Sequence, residues 1–504
     1  MNPLRVSALL LAILLTAASA PPPLPPIPPN TWVQVHPTYS GAPNGGQIWI
    51  QGWNNMGVYD PGSRCTISMD RWLDPVRGSS IYANGLLAYD PAANNVSVLK
   101  LTNWFVNGSR TDPLPANATD PTPVDRHPLG GVAFIPSTRS LYLVNGLNQT
   151  APNGHPNDTW KFDVGSATWS KVADAATGAH PPNNGGSPAV MAYDSAADRI
   201  VMLVPSGCGC AGTDVWLLDP STKHWSAVTQ DPSGASVYVA ASGAAYDPRR
   251  NRILTLGGGN YYNVASRHLW AYSVSQNKWT ALADAPIAAN APGFAYDSTH
   301  DVFLALVGTS TLIYDPVADR WTTVATPFVR ASVSNWQSVT YNVAQDLFVY
   351  QGGDWSTPIW NVFRYNGTPV ADTLPPTVPS GLAASAVSSS AIDLSWGASA
   401  DNVGVTGYRV YRNGTLAATI ASGTTYHDTG LSASTTYSYT VVAFDAAGNA
   451  SSASVPVTAT TSAAAGGGAA GGGAAGTGGS HSSQGCGLLG IEALLLGLLR
   501  RLRR

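Results

Sequence analysis

Ala245-Tyr246-Asp247-Pro248, a polar turn, and then Arg252-Ile253-Leu254-Thr255-Leu256 followed by Gly257-Gly258 form the stretch that decides the fold. An aromatic and acidic pair ends one strand, Pro248 and charged residues mark a turn, and a branched apolar run makes a second, deeply buried strand. Trp270 and Trp279 follow, nine residues apart around another turn, which reads as a hairpin with an aromatic at a fixed point of each strand. Four strands therefore occupy about 50 residues.

The same unit recurs outward in both directions. Ala88-Tyr89-Asp90-Pro91, Ala133-Phe134-Ile135-Pro136, Ala192-Tyr193-Asp194-Ser195, Ala295-Tyr296-Asp297-Ser298 and Thr340-Tyr341-Asn342 repeat the strand end at intervals of about 45 to 59 residues. Arg199-Ile200-Val201-Met202-Leu203 and Leu347-Phe348-Val349-Tyr350 repeat the second strand, and Trp160 with Trp169, Trp216 with Trp225 and Leu312 with Trp321 repeat the outer hairpin. A four-strand period of this length, with Gly after the second strand and Trp in the outer hairpin, resembles the Kelch family of β-propellers over residues 30–370. The family's double glycine survives at Gly257-Gly258 and Gly352-Gly353 and is degraded to Asn145-Gly146 and Ser206-Gly207 elsewhere. The resemblance implies an all-β fold with a Kelch-like β-propeller. Six clear starts plus an irregular block at 46–77, which contains Val58-Tyr59-Asp60, favour seven blades over six. The last period lacks an outer strand with its Trp, while Thr31-Trp32-Val33-Gln34-Val35 reads like Thr168-Trp169-Ser170-Lys171-Val172. The N-terminal strand is expected to complete the last blade and to cover strand edges that would otherwise stay open.

Residues 375–461 change pattern. Leu394-Ser395-Trp396, the run Gly407-Tyr408-Arg409-Val410-Tyr411-Arg412-Asn413-Gly414, then Leu431 and Tyr437-Ser438-Tyr439-Thr440-Val441 resemble a fibronectin type III β-sandwich. The resemblance implies Trp396 as core aromatic and Tyr437 as the corner tyrosine whose hydroxyl caps a loop. Such domains in bacterial secreted proteins often adjoin modules that bind or degrade polysaccharide, which implies a glycan context.

The ends carry addresses. Residues 1–20 place Arg5 before an apolar stretch and finish on Ala18-Ser19-Ala20, the order of a secretory signal peptide with cleavage after Ala20. Residues 21–29 form a Pro-rich spacer and 462–485 a Gly, Ala and Ser linker. Residues 486–504 join Cys486 to a short apolar stretch and four terminal arginines, resembling the GlyGly and myxobacterial C-terminal sorting tails of Gram-negative bacteria. That resemblance implies a sorting protease as partner, Cys486 as a processing or lipidation point, transient membrane association through the tail, and a place at the outer surface or outside the cell, released or anchored. An amphipathic helix on the membrane surface is the alternative. Without Arg5, Glu492 and the tail arginines the body has a net charge of about −7, which excludes a nucleic-acid partner.

Candidate chemistry is sparse. Cys208 and Cys210 are expected to pair with each other, or one of them with Cys65, in an oxidising compartment. The Kelch resemblance also implies comparison with galactose-oxidase-like copper oxidases, which need two histidines, two tyrosines and a cross-linked cysteine; the nine histidines here are scattered, so no metal and no cofactor are expected. Asp163, Asp219 and Asp315 recur at equivalent turns and read as turn caps, not as an acid/base pair. The connections between second and third strands vary most, which makes Asn148, His155, Tyr261, Tyr262 and Trp355 candidate ligand contacts on a variable loop face. The expected function is non-enzymatic binding or adhesion to an extracellular glycan or protein. The alternatives are a secreted carbohydrate-active enzyme, either a glycan hydrolase or a copper oxidase, and an architectural spacer.

Overall fold

The computed structural model describes residues 24–40, 48–49, 57–74, 79–100, 105–106, 109–110, 131–144, 158–174, 178–182, 189–206, 212–228, 237–259, 265–290, 292–324, 338–353 and 358–464. The chain divides into two units, Met1–Ser462 and Ala463–Arg504, and all the described strands lie in the first. Every regular element among the described residues is a β-strand, in agreement with the all-β expectation.

Each repeat is an antiparallel sheet in chain order. The third sheet is typical: Val190–Asp194, Arg199–Pro205, Thr213–Asp219 and His224–Val228 pair in that sequence. Its second strand is buried along nearly its whole length, as a branched apolar run sandwiched between neighbouring sheets must be. Sheets begin with the strands Gly57–Asp60, Val132–Ile135, Val190–Asp194, Ala240–Asp247, Gly293–Asp297 and Ser338–Asn342. These first strands are neighbours in that order, and Ser338–Asn342 in turn neighbours Gly57–Asp60, so the succession is cyclic.

Among the described residues there are thus six such sheets, not seven. The difference lies at Ala88-Tyr89-Asp90. Its strand, Ser79–Asp90, is the third of the first sheet, paired with Cys65–Asp74 and Asn95–Lys100, and the first strand is the one ending at Val58-Tyr59-Asp60. Both turns of a sheet share one chemistry, so the Tyr-Asp ending marks a third strand as readily as a first. At Asp60, Asp194 and Asp247 after first strands, and at Asp90, Asp219 and Asp315 after third strands, a carboxylate accepts N–H groups two or three residues on. The residue four on adopts the left-handed conformation in each case, with φ between 46° and 61° at Arg64, Asp198, Asn251, Asn94, Lys223 and Asp319.

The expected completion of the last sheet is present. Trp32–Val35 pairs antiparallel with Pro358–Phe363, Trp32 opposite Phe363 and Val35 opposite Trp360. The chain then crosses to the first sheet, where Thr38–Ser40 pairs in parallel with Asn95–Lys100. Val35, Tyr89, Val96, Val349 and Trp360 form one buried cluster across this seam. Trp32 also behaves as its counterparts do. Its indole N–H donates to Thr311 Oγ1 of the preceding sheet at 2.7 Å, as that of Trp225 donates to Thr159 Oγ1 at 2.8 Å.

Residues 380–460 fold as two facing sheets. Ser380–Ala386, Ala391–Gly397 and Thr425–Thr429 form one, and Thr415–Ile420, Val405–Arg412, Thr436–Asp445 and Val457–Thr460 the other. Trp396, Tyr408, Val410, Tyr439 and Val441 are buried between them. The Tyr437 hydroxyl accepts the Ser432 N–H at 2.9 Å, the loop cap expected of a corner tyrosine.

Candidate functional site

The first strands of the six sheets surround a cavity of about 360 Å³. Its wall is set by the strand-end motif. Tyr59, Phe134, Tyr193, Tyr246, Tyr296 and Tyr341 occupy equivalent positions around it. The phenol groups are held by the turns: Tyr193 donates to Asp198 at 2.9 Å, Tyr296 to Asp301 at 2.9 Å and Tyr341 to Asp346 at 2.8 Å, always five residues on. Two of them also reach the preceding sheet, Tyr246 to Asp194 Oδ1 at 2.7 Å and Tyr341 to Thr299 Oγ1 at 2.6 Å. Burial, reinforced by the neighbouring aspartates, pushes these phenols well above the ordinary tyrosine range, so they stay neutral.

Charged links join the sheets at the same end. Arg139 of the second sheet donates to the fully buried Asp60 of the first at 2.7 Å. Burial alone would raise the Asp60 pKa, but hydrogen bonds from Arg139 and Ser63 outweigh it and hold the carboxyl below the ordinary aspartate value. Arg250 bridges Asp247 at 3.1 Å and Asp301 of the next sheet at 2.7 Å. At the following seam His300 takes the place of the arginine. Its Nδ1 lies 2.7 Å from Asp297 Oδ2 and 3.8 Å from Asp346 Oδ1, with the Tyr365 ring against the imidazole. The hydrogen bond to Asp297 raises the His300 pKa against the opposing effect of burial.

The turn-side rim of the cavity meets the sandwich. Pro61, Pro136, Ser195, Pro248, Ser298 and Val343, each one residue past the strand end, line the cavity together with Ala400, Asp401, Asn402 and Val403. The connection is anchored by Val370 N–H to Thr299 O at 3.0 Å and by Arg249 Nη2 to Ala371 O at 3.3 Å. Beside this loop the carboxylates of Asp372, Asp401 and Asp445 lie within 4.8 Å of one another. Asn402 Nδ2 donates to Asp372 at 3.1 Å and Asn449 Nδ2 to Asp445 at 2.8 Å. Burial first, and then the charges of Asp372 and Asp445, raise the Asp401 pKa.

Asn148, His155, Tyr261, Tyr262 and Trp355 lie outside the described residues, as do Ala20, Cys208, Cys210 and Cys486. Cys65 is described and is a free thiol at the start of Cys65–Asp74, its Sγ 3.3 Å from Ser63 O. Burial pushes this thiol above its ordinary range. Asp163, Asp219 and Asp315 cap turns as expected. Asp401 and Asn402 escape sequence reasoning. Their only signal is a polar pair at the mouth of a sandwich loop, which says nothing about what the loop touches.

Residues 376–460 match the fibronectin type III domain. Most of the similarity to known proteins has about the length of this one domain. Exoglucanase B of Cellulomonas fimi is 54% identical over 96 residues, which are 19% of this chain and 9% of that protein. Chitinase D of Niallia circulans is 56% identical over 96 residues, 19% of this chain and 18% of that protein. A chitinase of Paenibacillus xylanexedens is 43% identical over 150 residues, 26% of this chain and 28% of that protein. The chain spans less than a third of the length of each of these relatives. All three are named as enzymes, and this overturns the expectation of a non-enzymatic binding or adhesion protein.

Proposed function

We propose that the chain is an exported carbohydrate-active enzyme, a glycan hydrolase, in which the cycle of six sheets is a six-bladed Kelch-like β-propeller and the fibronectin type III domain its companion module. One observation carries the reading: a module more than half identical to those of an exoglucanase and a chitinase contributes four residues to the wall of the central cavity. It is fitted to the propeller, not strung beside it. The signal peptide at 1–20 supports export. Of the two enzyme classes weighed, hydrolase is favoured over copper oxidase because the close donor clusters among the described residues are carboxylate-rich, Asp297 with His300 and Asp346, and Asp372 with Asp401 and Asp445, and none offers two histidines.

The test is an assay of protein recovered from culture medium on chitin, cellulose and starch, reading new reducing ends. Release from at least one polymer is expected. No release from any of them, with protein that melts cooperatively, would overturn the enzyme reading.

A further inference from the structure

Resting on that reading, we propose that the central cavity is a blind pocket that receives the terminal sugars of an uncharged polysaccharide, with the fibronectin type III loop Ala400–Val403 as its floor. Four observations meet here. The cavity, about 360 Å³, lies in the size range of small-ligand sites, roughly 300–1,000 Å³. Among the described residues its lining contains no lysine, arginine or histidine, and Asp401 is the one carboxylate. An anionic sugar would find no counter-charge among these residues, and burying an unpaired charge is costly. Its side walls carry rings at fixed positions, because the tyrosine hydroxyls are engaged by the turns, and such rings suit the C–H faces of a pyranose. Ser242, Thr340 and Asn402 add polar groups to the same lining.

The floor is rigidly mounted. Ala400 N–H donates to Thr377 Oγ1 at 2.8 Å, and Val403 and Gly404 N–H donate to Asp401 Oδ2 at 3.0 and 2.7 Å. The linker anchors at Thr299 and Arg249 hold the domain against the turn-side rim. A polymer cannot thread a channel floored in this way. A polymer that meets this floor is bound by its end, and cleavage proceeds from chain ends.

The test uses the full chain and calorimetric titration with chitotriose, cellotriose, maltotriose and the acidic trigalacturonate. One neutral trisaccharide is expected to bind, trigalacturonate not to bind, and Ala244→Trp, which fills the cavity wall, to weaken binding at least tenfold with an unchanged melting temperature. Should Ala244→Trp fail to fold, Thr340→Val is expected to weaken binding severalfold. Binding unaffected by both variants, preference for trigalacturonate, or no binding at all would each overturn the pocket. A neutral trisaccharide that binds in this way without any polymer being cut leaves the pocket standing and removes the enzyme. Where polymer is cut, one small product from the earliest time point is expected; a broad spread of fragment sizes overturns the blind floor.

Discussion

The fibronectin type III domain and the cycle of six sheets are both antiparallel β-structures, yet they are held together by different means. The domain buries Ile392, Leu394, Trp396, Val410, Tyr439 and Val441 in one core drawn from about 80 consecutive residues. Among the described residues the cycle has no single core. Its buried residues fall into clusters that straddle successive sheets, such as Leu254, Leu256 and Ala271 with Phe294, Phe303 and Tyr314. Its last sheet depends on Trp32–Val35 pairing with residues about 330 positions later. A self-contained core localises damage, whereas a cycle of seams makes each sheet the support of the next.

The sharpest way to separate the two regions is Trp32→Ala. The ring is 6% exposed, its centroid lies 5.1 Å from that of Phe363, and its N–H is satisfied by Thr311. Loss of such a residue costs about 3–5 kcal/mol. Calorimetry is expected to show a lower transition for the sheet cycle and an unmoved one for the fibronectin type III domain. Coincident shifts of both would make the two regions one cooperative body. Tyr437→Phe strikes the other side. It removes the acceptor of the Ser432 N–H and is expected to lower only the domain's transition, by about 1 kcal/mol.

The smallest effect concerns the seam nearest the linker. Where Arg250 spans Asp247 and Asp301, His300 faces Asp297, Asp346 and Tyr365. Its folded pKa is raised by the hydrogen bond to Asp297. A raised histidine contributes stability that is fully present below its unfolded value, about 6.5, and is lost as pH rises through the folded value. The melting temperature of the sheet cycle is therefore expected to fall as pH rises above about 6.5, and His300→Arg to flatten that slope. A slope equally steep in His300→Arg would assign it to another group.

Much of this architecture is legible in the chain. The Asp-capped turns, the second-strand apolar runs and the role of Trp32 all follow from local patterns, and the domain's Trp396 and Tyr437 sit where their neighbours in sequence imply. The number of sheets is overcounted at Ala88-Tyr89-Asp90 for a physical reason. First and third strands end in the same capped, left-handed turn, and the tyrosine contact five residues on is made by both, as Tyr89 to Asn94 and Tyr193 to Asp198 show. Only pairing partners distinguish them. The candidate pocket is illegible for a different reason: its wall is made of residues from each of six sheets, and its floor comes from a loop more than 50 residues beyond the last of these. No spacing in sequence encodes that meeting.

The strand Trp32–Val35 has a consequence for how the molecule is made. It is the first described strand to leave the ribosome and, within the cycle of sheets, the last to find its partner, since Pro358–Phe363 emerges only after five sheets have been synthesised. A nascent chain interrupted anywhere before Phe363 is an open stack with an unpaired edge at each end, the kind of species that aggregates. Pairing of Trp32–Val35 with Pro358–Phe363, and not any local folding step, is what covers those two edges.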